Sequence, residues 1–218
     1  MAKTIFTRDD IIAAGLKIMA EGGLSQLSAR RVADELGSST APVYSNFTNM
    51  QELSEAVKRA AVAQLLAATR DGQTADGCLN IGLGVLKFVW ERPAVYASLF
   101  LEPTTGYVPG PDLMEALVEA MADLPELDPL SLAERIIVLK KLALFTHGLA
   151  TEICQGCDDH HSRESMVALL AEVGEAVVAH ARNGIERDPE LTRQMIVLRD
   201  PAGVAPDSPN PNQEDIEP

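Results

Sequence analysis

The sequence predicts an all-α chain: an N-terminal three-helix head containing a helix-turn-helix, joined to a larger helical body. Three observations carry this expectation. Apolar residues recur at helical spacing from Ile11 onward. Glycine and proline fall mainly between the periodic segments, where they end one helix or open the next. The composition is 46% hydrophobic but only 4% aromatic, with Ala and Leu abundant, which favours helix over strand. A chain of 218 residues is long enough to bury a sizeable core.

The first helix carries Ile11, Ile12, Gly15, Leu16 and Met19 near one face, with Thr7 or Asp9 as cap and Gly22-Gly23 as its stop. Ser28 then caps a second helix, whose buried face is Ala29, Val32, Ala33 and Leu36, and Gly37 ends it. A short third helix runs from about Ser39 or Thr40 to Phe47. Asn49 caps a fourth, turning Leu53, Val57, Ala60, Ala61 and Leu65 inward. Segments this short need one another's apolar faces to be stable.

The body continues with Thr74 to Glu91, carrying Leu79, Leu83, Leu86 and Trp90, until Arg92-Pro93 breaks it. Pro93 opens a helix through Tyr96, Leu99 and Phe100. A Pro/Gly-rich loop over 103–110 leads to a helix from Pro111 to Leu124. Two long helices follow, about Ser131 to Gln155 and Ser162 to Asn183. From Pro201 the composition turns to Pro, Asp, Glu and Asn, too polar to support a core. The expected domains are therefore a head at 1–50, a body at 51–200 and a disordered acidic Pro-rich tail at 201–218.

Charge and cysteine usage narrow the function classes. The formal net charge is -14, yet residues 1–60 balance seven bases against seven acids, so the acidity lies beyond residue 60. An acidic body behind a neutral, locally basic head can orient a chain on DNA. The three cysteines, Cys78, Cys154 and Cys157, describe no disulfide framework and read as reduced thiols. No apolar run approaches the roughly 20 residues of a membrane span, and the start lacks the apolar stretch of a signal peptide. A cytoplasmic chain is expected. No Ser-His-Asp order, Walker loop or HExxH motif appears, so no enzyme and no cofactor is expected.

The unit from Ser28 to Phe47 is the functional signal. Two short helices joined through a glycine turn leave the second projecting, and its N-terminal residues reach base edges in the major groove. Val43 and Phe47, spaced i, i+4, anchor that helix. Thr40, Tyr44 and Ser45 are then left outward, with Asn46 beside them, as hydrogen-bonding groups for bases and phosphates. An ordinary helical hairpin has the same spacing, so an all-α interaction protein without DNA binding stays open here.

The segment resembles the N-terminal domain of the TetR family of bacterial regulators. The resemblance runs through Thr7-Arg8, Ile11-Ile12, Ala14, Gly22, Ser28, Val32-Ala33 and Gly37 to Tyr44, Phe47, Asn49 and Glu52-Leu53. It covers about a quarter of the chain. It implies an all-helical homodimer, a double-stranded DNA operator and a small-molecule effector held in the body, whose binding releases a palindromic operator. By position it implies DNA contacts from Thr40, Tyr44, Ser45 and Asn46. Ser28, Arg30 and Arg31 would lie on or beside the backbone, and Lys3 and Arg8 would reach phosphates as an arm. Met50 stands where the family commonly has lysine, Asn46 replaces a frequent histidine, and Pro42 lies inside the recognition helix.

Within the body, the expected effector pocket draws on Phe88, Val89, Tyr96, Leu99, Phe100, Leu117, Met121, Leu142, Phe145 and Thr146, with His147 and Glu152 able to orient a polar group. The same stripe also fits plain core. Ile136, Leu139, Ala143, Val167, Leu170, Val173, Gly174 and Val177 on the two long helices are the expected dimer interface. Gly82 and Gly84 point to close helix packing or room for a ligand. The cluster Cys154, Cys157, His160 and His161 reads either as a solvated loop or as a metal- or thiol-responsive device.

Overall fold

The computed structural model describes residues 6–102, 111–128, 130–156 and 162–183. Lys3, Cys157, His160, His161 and the 201–218 tail lie outside the described residues. In chain order the α-helices are α1 (Arg8–Gly22), α2 (Ala29–Glu35), α3 (Ala41–Asn46), α4 (Met50–Thr69), α5 (Gly77–Glu91), α6 (Pro93–Phe100), α7 (Pro111–Ala120), α8 (Leu132–Cys154) and α9 (Arg163–Arg182). Short 3-10 turns occupy Leu24–Gln26 and Pro125–Leu127. The protein is all-α, as expected.

The helix starts follow from local chemistry. Thr7 and Ser131 each form a reciprocal capping box, with Asp10 and Glu134 at the third helical position. Ser28, Asn49, Asp76 and Ser162 each accept a backbone N–H from their own first turn. The cap at Asp76 starts α5 later than the expected Thr74. The preceding residues turn instead around Asn80, whose Oδ1 accepts from the Gln73 and Thr74 amides. α7 likewise stops at Ala120, before Pro125.

One apolar cluster runs from Ile11 in α1 to Ala181 in α9, so head and body share a core. α4 packs on both α1 and α5, and α6 packs on α1 and α8. The α4–α5 crossing is close. A Cβ at Gly84 would sit 2.2 Å from the Ala68 carbonyl oxygen and 2.5 Å from the Thr69 Cα, so backbone meets backbone there. Gly82 instead faces the Leu170 side chain, 3.0 Å from a built Cβ. Close packing, rather than space for a ligand, accounts for both glycines. Among the described residues no helix is long and apolar enough to cross a membrane.

Candidate nucleic-acid interface

The helix-turn-helix closes through its backbone. α2 ends with the Gly37 amide bonded to the Asp34 carbonyl at 3.1 Å and the Ser38 amide to the Ala33 carbonyl at 2.9 Å. This paired closure needs Gly37 in the left-handed region, where it sits at φ 61°. α3 then starts at Ala41, with Thr40 at the helical edge and Pro42 in the first turn, where its missing N–H is harmless. Val43 and Phe47 are buried at 1% and 2% exposure, which pins the helix as the spacing predicts.

The polar face of α3 divides into two parts. Tyr44 projects at 58% exposure, and Thr40 is exposed beside it. Ser45 and Asn46 fold back: Ser45 Oγ and Asn46 Nδ2 both donate to the Pro42 carbonyl, each at 2.9 Å. Ser45 remains at the surface, whereas Asn46 is half-buried. On α2, Arg30 is exposed, while Arg31 bonds Gln26 at 2.9 Å and lies 3.7 Å from Glu21. The Ser28 hydroxyl is occupied as the α2 cap, accepting the Arg31 amide at 3.3 Å.

Arg8 is the first residue of α1 rather than part of an arm. Its guanidinium donates to the Asn46 carbonyl at 2.7 Å and to Glu52 at 2.8 Å, and stacks 4.0 Å from the Phe47 ring centre. Glu52 also accepts the Thr48 amide at 2.8 Å, and its own amide bonds the Asn49 cap at 2.9 Å. The Thr48 amide and the Arg8 guanidinium hold the Glu52 carboxyl down at about 2. Glu52 and Asn49 thus lock the end of α3 to the start of α4. Asn49 is the α4 cap that the sequence predicts, whereas the pairing of Glu52 with Arg8 is not apparent from spacing.

The Tyr-x-x-Phe-x-Asn-x-x-Glu-Leu run therefore has a physical content: one exposed aromatic, then an anchor, a cap, an ion pair and a fully buried Leu53. Residues 11–57 match the family described as bacterial regulatory proteins, tetR family. The head is a TetR-family domain. Regulation of transcription through DNA is the activity that goes with such a head. The chain has the fold of TetR-type proteins beyond the head as well. A TetR transcriptional regulator from Streptomyces coelicolor is 19% identical, with 80% of this chain and 98% of that one covered at a TM-score of 0.59. TetR from Acinetobacter baumannii AYE is 16% identical over 82% of this chain and 97% of its own, TM-score 0.56. A variant of the same protein in complex with minocycline is likewise 16% identical, covering 84% and 98%, TM-score 0.56. No relative was found among curated proteins.

In the body behind the TetR-type head, the predicted pocket residues fall into two groups. Phe88, Val89, Leu99, Leu117, Met121 and Thr146 are buried, and Leu142 and Phe145 are half-buried. Tyr96 and Phe100 meet as a ring pair, 4.6 Å between centres, and the Tyr96 hydroxyl bonds His147 Nδ1 at 2.9 Å. Burial, with Cys154 nearby, pushes the Tyr96 hydroxyl well above its usual range, so it stays neutral and able to donate. Cys154 itself lies 3.5 Å from the Pro93 carbonyl.

On the two long helices, Ile136, Ala143, Val167, Val173, Gly174 and Val177 are half-buried. Leu139 and Leu170 are buried in the chain's own core, at 3% and 4% exposure. The large apolar side chains left uncovered there are Leu132, Leu144 and Leu169, at 64%, 72% and 38% exposure. Sequence reasoning did not select any of those three.

Proposed function

We propose that this chain is a homodimeric transcriptional repressor of the cytoplasm, released from a palindromic operator by a small molecule. The observation that carries the reading is Tyr44: a large side chain, over half exposed, on a short helix whose other face is anchored by Val43 and Phe47. An aromatic hydroxyl held out on so rigid a mount suits a groove contact. Thr40 and Arg30 flank it as further contacts. Ser45 and Asn46 contribute from the side, after exchanging their bonds to Pro42 for bonds to DNA.

The uncovered leucines support the dimer. Leu144 on α8 and Leu169 on α9 continue the half-buried stripe of Ile136, Ala143, Val173 and Val177, and a second copy would cover them. Leu144 and Leu169 take the places that Leu139 and Leu170 held in the sequence-based interface. A related fold in complex with minocycline supports an effector in the body. The buried Tyr96 hydroxyl and His147 are the polar groups suited to orient it.

The test is selection of operator from random double-stranded DNA by the full-length chain, followed by footprinting. The expected product is a two-fold symmetric site with half-sites about 34–36 Å apart, or a multiple of that. Failure to enrich any sequence at low salt would remove the DNA reading.

A further inference from the structure

We propose a divalent-cation site formed by Asp76, Cys78 and Glu126, where the start of α5 meets the 3-10 turn Pro125–Leu127. The ligand atoms of these three residues lie within 4.8 Å of one another. Cys78 is the observation that points to a ligand. It is only 8% exposed, and its thiol has no hydrogen-bond partner among the described residues while facing two carboxylates.

Helix capping accounts for half of the carboxylate oxygens only. Asp76 Oδ1 accepts the Leu79 amide at 2.8 Å, and Glu126 Oε1 accepts the Cys78 amide at 2.9 Å. The second oxygen of each remains for a further partner. Gly77 lets Glu126 come this close: a Cβ there would sit 2.3 Å from Leu124 Cδ2 and 2.9 Å from Glu126 Oε1.

One sulfur and two oxygens, completed by water, suit a borderline cation such as Zn(II) or Co(II) rather than Mg(II) or Ca(II). Bonds of about 2.0–2.3 Å require the three donors to draw together by roughly 1 Å, which the exposed Asp76 side chain can supply. Burial, then Glu126 and Asp76, push the Cys78 thiol up to about 12, with Arg135 of α8 the smaller, opposing charge, so without metal the thiol is protonated. With Cys78 as thiolate, the three ligands and a divalent ion carry one net negative charge, since Arg135 is already paired with Asp128 at 3.0 Å. On binding, a metal–sulfur bond forms and the Cys78 proton passes to water. Affinity therefore rises with pH.

The site does not rest on the DNA reading, and its test needs no DNA. In a Cys154→Ser, Cys157→Ser background Cys78 is the remaining thiol, and Co(II) is the probe. The expected result is one Co(II) per chain with a near-ultraviolet thiolate-to-cobalt band, abolished by Cys78→Ala. Asp76→Asn and Glu126→Gln retain the capping oxygens; each should weaken Co(II) binding at least about tenfold, with metal-free melting unchanged. For the chain with all its cysteines, Zn(II) should release a proton that Cys78→Ala does not. No band at millimolar Co(II), a band that survives Cys78→Ala, or binding indifferent to both carboxylate variants would each overturn the site.

Discussion

Arg8 and Glu52 meet at 2.8 Å across 44 residues of sequence, and the same guanidinium holds the last carbonyl of α3. α3 is therefore tied at its C-terminal end by a charged group from α1 and a carboxylate from α4. The pair lies at the surface, so its worth is orientation more than stability. Its pH behaviour follows from the depressed Glu52 carboxyl. A folded value of about 2, below the ordinary 4.5, gives stability that is present above about pH 4.5 and lost as the pH falls toward 2. Glu52→Gln should flatten the acid limb of the melting curve over that window. An identical acid limb in the variant would show that the carboxylate is not held down.

Tyr44→Ala is expected to lower operator affinity by about 1–3 kcal/mol while leaving the melting temperature unchanged. The side chain is largely exposed and contributes little to the core. A gel-shift titration beside a thermal melt separates the two effects. Ser45→Ala should be milder, because the Ser45 hydroxyl already bonds the Pro42 carbonyl.

Leu144→Asp and Leu139→Ala should fail differently. The first removes an uncovered side chain from the outer face of α8 and is expected to give a folded monomer by light scattering. The second opens a cavity in the chain's own core and should reduce stability by about 2–5 kcal/mol. If Leu144→Asp remains a dimer, the proposed interface is misplaced.

Gly84→Ala is expected to destabilise the chain by about 3 kcal/mol or more in urea titration, since the clash is with the backbone of α4 and cannot relax through a side chain. Gly82→Ala meets only the flexible end of Leu170 and should be milder.

Much of this was legible in the sequence because helix starts are local events. Ser28, Asn49, Ser131 and Ser162 each cap the helix that begins one residue later, and the apolar spacing of Val43 and Phe47 predicts their burial. The sense of the long helices was not legible. α8 carries apolar residues on several sides, since one side packs on α5 and α6 while Leu144 stands clear. Periodicity alone cannot then separate Leu139 from Leu144. Nor does spacing report that Arg8 pairs with Glu52, or that Cys78 lies beside Glu126, because those partners are 44 and 48 residues apart.

The absence of any side chain at Gly84 has a mechanical consequence. With no side chain to absorb movement between α4 and α5, α4 would act as a lever held near Ala68 and Thr69, its other end bearing Glu52. At 1.5 Å of rise per residue, a tilt of about 5° at the clamp swings the Glu52 end by roughly 2 Å. Displacements of α5 too small to disturb its own packing would thus arrive enlarged beneath Tyr44.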